Sequence, residues 1–189
     1  MNKNNPFLDG SDGYGVVSRS LHWLMVVLFA WQFITTILRF FAKDTAIYNL
    51  IWPTHFQVGF ALFLLVLIRG VWGLLNLSRR PHKSGVLGKL AGLGHLVIYG
   101  LMFVVPAVAV LRSYGNGRGF SFLGIQIFER TGVPNTLLTA PAIAVHGLLG
   151  WLLLAAIVGH VLMVFVHHFA MRDNTLELMT GRRVAREAK

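Results

Sequence analysis

The sequence predicts an all-α fold, an integral membrane bundle of four helices formed by a single domain over residues 1–189. Hydrophobic residues make up 55% of the chain and charged residues only 13%, about half the share found in soluble domains. Four long segments lack Asp, Glu, Lys and Arg altogether. Hydrocarbon offers no water to unpaired backbone groups, so these segments are expected to be helices, and none shows the ten-residue alternation of a membrane barrel. The 14 Phe and 5 Trp exclude a disordered chain.

The uncharged segments define the predicted helices in order. They are residues 20–38, 45–68, 90–111 and 131–171. A spanning helix needs about 20 apolar residues, so each of the first three predicts one span. The fourth contains Pro134 and Pro141 near its start and is expected to be a loop to about Ala140, followed by one long helix. The predicted helices are 17–41, 48–77, 90–113 and 140–172, with Pro53 in the first turn of the second and Pro106 bending the third.

Basic residues are distributed unequally between the two sides of the predicted bundle. Eleven lie on the side of the termini: Lys3, Arg19, Arg79, Arg80, Lys83, Lys89, Arg172, Arg182, Arg183, Arg186 and Lys189. Five lie on the other side: Arg39, Lys43, Arg112, Arg118 and Arg130. The positive-inside rule therefore predicts a multi-pass membrane protein with both termini in the cytoplasm. The first helix is expected to be retained, because no A-x-A-like cleavage site closely follows it.

The net charge of +10 needs no nucleic-acid partner, because the basic residues flank membrane spans. The basic cytoplasmic tail 173–189 is expected to lie against anionic lipid or to act as a stop-transfer anchor. The chain contains no Cys, which excludes disulfides, thiolate metal sites and covalent attachment of a c-type haem.

Eight histidines are unusual in so apolar a chain, and only His82 is plainly in a loop. His146 and His160 are 14 residues apart, which is about 21 Å along a helix and about 40° around its axis. They share one face at two depths. This is what two stacked haems require, with one imidazole per haem from this helix and the opposite ligands from facing helices.

Depth in the membrane suggests the opposite ligands. His55 and His146 both begin near the outer side and can pair across the bundle. His22 lies near the inner side and can meet His160, although His95 and His167 lie at similar depths. A single membrane histidine is more often a hydrogen-bonding group, but a matched set on three helices favours haem ligation.

Other polar residues are candidates for the surroundings of these groups. Arg69 lies inside a span and needs an anionic partner, either a haem propionate or a lipid phosphate reached by snorkelling. His95 is predicted to contact a propionate, a quinone or a neighbouring helix. Five glycines lie near the histidines and allow either a macrocycle or a helix to approach closely: Gly59, Gly94, Gly147, Gly150 and Gly159.

These residues resemble the prokaryotic cytochrome b561 family, small four-helix membrane proteins with two haems, over nearly the whole chain. The matching segments are SLHWL at 20–24, THFQVG around His55, LGHLVIY at 93–99 and HHFAMRDNTLELM at 167–179, the last similar to the family pattern HH-x3-[KR]-DNTL. The resemblance implies two haem b groups in the core of the bundle, ligated by His22 with His160 and by His55 with His146. It also implies that His95 is not an axial ligand.

The resemblance further implies an oxidoreductase of the bacterial inner membrane that takes electrons from superoxide at the periplasmic side and passes them to ubiquinone. The quinone is expected around His167, His168 and Arg172, although Ala170 and Met171 stand where relatives can carry aromatic residues. The five basic residues on the side away from the termini could steer superoxide towards the protein, or bind lipid headgroups or a propionate. The alternative is a cytochrome b subunit that passes electrons between a dehydrogenase or hydrogenase and the quinone pool. The expected partners are membrane lipid, quinone and superoxide, and a homodimer or a redox partner protein stays open.

Overall fold

A computed structural model describes residues 5–80 and 85–181. Within these residues, four helices are long and apolar enough to cross a membrane: α1 Val16–Phe41, α3 Thr54–Leu75, α4 Gly85–Gly115 and α5 Thr136–Phe165, which a π-helical turn extends to Met171. The predicted all-α, four-helix membrane bundle is therefore confirmed. Several residues named in the sequence prediction lie outside the described ranges: Lys3, His82, Lys83, Arg182, Arg183, Arg186 and Lys189.

The remaining elements are short. They are α2 Ala46–Ile51, a 3-10 turn Leu77–Arg79, strands β1 Phe120–Phe122 and β2 Ile125–Phe128, the π-helical turn Val166–Met171 and α6 Thr175–Thr180. We call the end of the bundle where α1 begins and α5 ends the terminal end. The opposite end, which carries the two strands, is the hairpin end.

The second predicted helix is two helices. Residues 48–77 were expected to be continuous, but the chain breaks between α2 and α3 at Trp52 and Pro53, so that Pro53 precedes α3 instead of lying in its first turn. The hydroxyl of Thr45 accepts a hydrogen bond from the backbone N–H of Tyr48, and this cap begins α2. Proline lacks an N–H, which favours a new helix start at this position over continuation of α2.

The stretch between α4 and α5 contains a β-hairpin that the sequence did not predict; a loop was expected there. Strands β1 and β2 pair in antiparallel register through a two-residue turn, in which Leu123 and Gly124 have φ of 49° and 84°. Positive φ at both positions matches the twist of a hairpin and is easy for glycine. Phe120 fixes the hairpin to α3, with ring centroids 4.4 Å from Phe56 and 5.2 Å from Phe60.

Helices α4 and α5 also differ from their predicted limits. α4 begins at Gly85, five residues early, and ends at Gly115. α5 begins at Thr136, where the Asn135 side chain accepts from the backbone N–H of Leu137 at 3.0 Å, so that Pro141 lies inside the helix. The cap explains the early start, because it satisfies an otherwise free N–H ahead of the proline.

The long helices pack side by side in the order α1, α3, α4 and α5. α1 packs along α3, α3 contacts α4, and α4 packs along α5. The core lies in the middle of the bundle and contains Met25, Leu62, Val66, Met102 and Leu153.

This core separates the histidines of the two ends. Leu153 is 2% exposed and stands seven residues from both His146 and His160, on the same face of α5. Leu62 follows His55 by seven residues, and Met102 follows His95 by seven. An apolar layer therefore divides the bundle into a terminal half and a hairpin half.

The segment before α1 folds against the terminal end. Its buried Asp9 carboxylate accepts from the backbone N–H of Gly15 at 2.9 Å and from Nε of Arg80 at 3.0 Å. Gly15 is required there, because a Cβ would lie 2.5 Å from the carbonyl carbon of Leu8. Burial raises the pKa of Tyr14, and nearby Arg80 partly opposes this. Asp9 thus ties this segment to Arg80, directly after the 3-10 turn that follows α3.

Candidate haem and quinone sites

The histidines at the hairpin end are His55, in the first turn of α3, and His146, ten residues into α5. They are close enough to interact electrostatically, and Arg39 acts on both. Trp52 links the cation to this group: the guanidinium carbon of Arg39 lies 4.5 Å from the indole centroid, and the indole stacks on the His55 ring at 4.8 Å.

The tautomer of His55 follows from its neighbours on α1. The Thr35 hydroxyl donates to the backbone carbonyl of Gln32 at 2.7 Å, so it accepts from Nδ1–H of His55 at 2.8 Å. The lone pair of the ring therefore lies on Nε2. The Gln32 side-chain nitrogen is 3.2 Å from Nε2, so this amide must move aside before Nε2 can bind a metal.

His146 has the same tautomer for a different reason. Its Nδ1 is 3.1 Å from the backbone carbonyl oxygen of Val105 on α4, and a carbonyl can only accept. Nδ1 must therefore carry the proton, which leaves the Nε2 lone pair available. Metal-ligating histidines commonly donate their second N–H to a carbonyl or another acceptor in this way.

At the terminal end the structure brings His22, His95 and His160 together from α1, α4 and α5. The rings of His95 and His160 lie 5.3 Å apart at 75°, and His22 interacts electrostatically with both. Nδ1 of His95 is 2.6 Å from the carbonyl oxygen of Ala91 in its own helix. Sequence reasoning also allowed His167 as a partner of His22, but His167 pairs with Asp173 instead, with Nδ1 2.7 Å from Oδ2.

Arg69 completes the terminal group. Its Nε donates to the Tyr99 hydroxyl at 2.8 Å, and its charge acts on His22 and His160. Nη1 of Arg69 is buried and has no hydrogen-bond partner within residues 5–80 and 85–181. A buried donor of this kind points to an acceptor that the described chain does not supply.

The sequence allowed the glycines beside the histidines to admit either a macrocycle or a closely packed helix, and the structure bears on this choice. Within the described part of the chain, nothing lies within 4 Å of a Cβ built on Gly94, Gly147, Gly150 or Gly159, so these glycines do not serve close packing inside this chain. Gly59 differs, because a Cβ there would lie 3.0 Å from the side-chain nitrogen of Gln32. The open space leaves room for a large planar group at four of the five positions.

The chemistry of these residues fits haem. Imidazoles from different helices lie at each end. In three of them, His55, His95 and His146, Nδ1 is bonded to an oxygen and Nε2 carries the lone pair. Open glycine surfaces adjoin His95, His146 and His160, and the unpartnered Nη1 of Arg69 suits a propionate carboxylate.

The predicted quinone residues lie in and after the π-helical turn. This turn departs from the α-helix predicted to 172, and a wider turn changes the directions of His167 and His168 relative to the rest of α5. Nδ1 of His168 is 3.9 Å from a carboxylate oxygen of Glu177, and Arg172 ends the turn with φ of 50°. Each histidine therefore faces a carboxylate at the terminal end, an arrangement that can hold and deliver protons.

Sequence reasoning missed the residues that support the histidines. Gln32, Thr35 and Tyr99 were not singled out as site residues, yet each contacts a candidate residue. The available signal was the presence of polar side chains inside apolar segments, as in WQFITT at 31–36.

Comparisons with known proteins agree over most of the chain. A family model described as prokaryotic cytochrome b561 matches residues 13–182, a range that includes every candidate site residue. Cytochrome b561 homolog 2 of Escherichia coli (strain K12) is 29% identical over 184 residues, covering 93% of this chain and 95% of the relative. Cytochrome b561 homolog 1 of that strain is 27% identical over 174 residues, 86% and 94% of the two chains. A Yersinia pestis protein named probable superoxide oxidase CybB is 29% identical over 174 residues, 90% and 97% of the two chains.

Proposed function

The chain belongs to the prokaryotic cytochrome b561 family, and on this basis we propose that it carries electrons from superoxide to ubiquinone through two haem b groups. Family membership already makes it a redox-active electron-transfer protein with b-type haem, and its four apolar helices indicate a multi-pass protein of the inner membrane. The proposal adds the number of haems, their ligands, the donor, the acceptor and the orientation.

The observation that carries the proposal is the presence of a histidine group at each end of one bundle. His55 and His146 would hold the haem at the hairpin end, and His22 and His160 the haem at the terminal end. His95 and Arg69 would contact a propionate or quinone. When bound, haem supplies one-electron redox chemistry, while the protein sets its position and electrostatic surroundings.

The hairpin end is the proposed site of superoxide oxidation. Two superoxide ions would each release one electron and leave as O2. Arg39 and Arg112 act electrostatically on His146, and a positive surface there would attract an anion. One relative carries the name probable superoxide oxidase, which supports the same donor here.

The terminal end is the proposed site of quinone reduction. A quinone needs two electrons and two protons to become a quinol. His167, His168 and Arg172 would contact its headgroup, with a proton held at Nε2 of His167 and the resulting positive charge stabilised by Asp173 at 2.7 Å from Nδ1. This end would face the cytoplasm, from which the protons come.

The alternative function is that of a cytochrome b subunit for a dehydrogenase or hydrogenase. The exposed apolar edge of the hairpin favours this reading, since Leu123 is 83% and Ile125 67% exposed at the hairpin end, where a protein partner could dock.

Stopped-flow mixing of the oxidised holoprotein with superoxide separates the two functions. We expect superoxide to reduce the haem iron rapidly, as followed by the change in haem absorbance. Reduction should be slower at high salt, because salt screens the attraction of the protein for the anion. No reduction by superoxide, together with rapid reduction by a co-purified dehydrogenase or hydrogenase, would establish the subunit function instead.

A further inference from the structure

We propose that Tyr99 is a positioning residue that holds the Arg69 guanidinium beside the terminal histidine group and thereby raises the reduction potential of the haem bound there. This inference rests on the proposed terminal haem. It assigns a role to a tyrosine that is itself neither a proposed iron ligand nor a proposed quinone residue.

The first step is the contact between two helices. Arg69 lies on α3 and Tyr99 on α4, and Nε of Arg69 donates to the Tyr99 hydroxyl at 2.8 Å. The guanidinium carbon also lies 5.9 Å from the centre of the Tyr99 ring. One hydroxyl therefore fixes the Nε edge of the guanidinium and leaves Nη1 free of this contact.

The second step is the charge that this contact places. Tyr99 lies about one helical turn after His95 on α4, and the ring of His95 is 5.3 Å from the ring of His160, so the contact with Tyr99 places the Arg69 charge near this proposed iron ligand. No carboxylate of the described chain forms an ion pair with Arg69, and the buried Nη1 has no partner there. The charge is thus not neutralised by the described protein and remains to act on what binds between the histidines.

The third step is that Tyr99 keeps the Arg69 side chain from extending to the lipid headgroups. Arg69 is six residues from the last residue of α3, which is about 9 Å along the helix. A long arginine side chain at that depth can extend to the lipid headgroups when nothing holds it inside. The hydrogen bond to Tyr99 opposes this movement and keeps the cation on the interior side.

The consequence concerns redox equilibrium. Reduction lowers the charge of a haem iron by one unit, so a fixed cation nearby stabilises the reduced form and raises its potential. A higher potential at the terminal end favours electron flow from the hairpin end towards the quinone.

Redox titration of the holoprotein, followed by haem absorbance, tests this with Tyr99→Phe, Arg69→Gln and the double variant. We expect Arg69→Gln to lower the potential of one haem so that its reduction equilibrium constant falls about tenfold, equal to 59 mV for one electron. Tyr99→Phe should lower the same potential by a smaller amount. The double variant should match Arg69→Gln alone, because Tyr99 acts only through Arg69.

Tyr114→Phe is the matched control. It removes a hydroxyl from the hairpin end of the same helix and should leave both potentials unchanged. Unchanged potentials in Tyr99→Phe, or additive shifts in the double variant, would overturn the proposal. If Arg69→Gln does not assemble, the comparison of Tyr99→Phe with Tyr114→Phe decides, because a lowered potential is expected only in Tyr99→Phe. Wild-type protein without a second haem would instead refute the proposed function.

Discussion

Two polar side chains of α1 determine which nitrogen of His55 can bind iron. The Thr35 hydroxyl accepts a hydrogen bond from Nδ1–H, while the Gln32 side-chain nitrogen lies beside Nε2 and also donates to the His55 carbonyl at 3.0 Å. Thr35 is fully buried, so its hydroxyl has no water to exchange with. A buried threonine that both donates and accepts keeps the imidazole in one tautomer more strictly than a surface residue would.

At the residue scale we expect His146→Ala to remove one haem and leave the other. The proposed ligands of the terminal haem lie on the far side of the Leu153 layer, so the two sites should assemble independently. The haem content, measured by the pyridine haemochrome assay, should fall from two haems per chain to one. His168→Ala removes an imidazole from the same chain segment without removing a proposed ligand and should retain two. Loss of both haems from His146→Ala would show that the sites depend on each other.

A second residue-scale prediction concerns Asp173→Asn. The asparagine oxygen can still accept from the backbone N–H of Thr175, but the amide cannot stabilise a positive charge on His167. Quinol formation should slow about 100-fold, the usual contribution of a positioned acid–base group. Reduction of the haems by superoxide should keep its wild-type rate. Asp44→Asn, an exposed change at the hairpin end, is the control, and equal quinol rates in the two variants would exclude this role for Asp173.

At the element scale, the β-hairpin is held to the bundle by aromatic contacts rather than by its own length. Two strands of three and four residues are too short to be stable alone. Phe120 is 8% exposed between Phe56 and Phe60, and Gln57 donates to the Ser121 carbonyl at 3.0 Å. Docking on α3 therefore supplies the stability that the hairpin lacks.

The element-scale prediction is that Phe120→Ala releases the hairpin. Truncation of a buried phenylalanine costs about 3 kcal/mol, enough to undock so small an element. Limited proteolysis should then cut between residues 118 and 130 much faster than in the wild type, while the haem content stays the same. Leu123→Ala, an exposed change in the turn, should keep the wild-type resistance. Equal resistance of the Phe120→Ala variant would mean that other contacts hold the hairpin.

The elements differ in how far the sequence could predict them. The four long helices depend on local composition, and the shared face of His146 and His160 depends only on helical periodicity, so both could be predicted. The hairpin depends on contacts of Phe120 with residues about 60 positions earlier, and its strands are too short for a periodic signal. The Asp9–Arg80 ion pair joins residues 71 positions apart. The hydrogen bond between Arg69 and Tyr99 likewise needs the packing of two helices.

At the scale of the whole molecule, the proposed direction of electron transfer depends on the orientation of the bundle. The unequal distribution of Lys and Arg predicts that the terminal end faces the cytoplasm. The absence of Cys in the sequence makes single introduced cysteines unambiguous probes of this orientation.

We expect Leu123→Cys at the hairpin tip to react with a membrane-impermeant maleimide in intact spheroplasts. Phe7→Cys, which is 57% exposed near the terminal end, should react only after the membrane is permeabilised. Mass spectrometry or a gel shift measures the labelling. The opposite pattern would reverse the orientation and place the proposed quinone site outside.

The apolar layer around Leu153 has an energetic consequence for the living cell. Electrons can tunnel through packed side chains, but hydrated protons cannot follow them there. Inward electron transfer with proton uptake from the cytoplasm would then be electrogenic and would make the outer face more positive. A resting membrane potential, negative inside, would oppose this transfer. The free-energy cost is about 2.3 kcal/mol per 100 mV for each electron that crosses the whole membrane. Turnover should therefore accelerate when an ionophore collapses that potential.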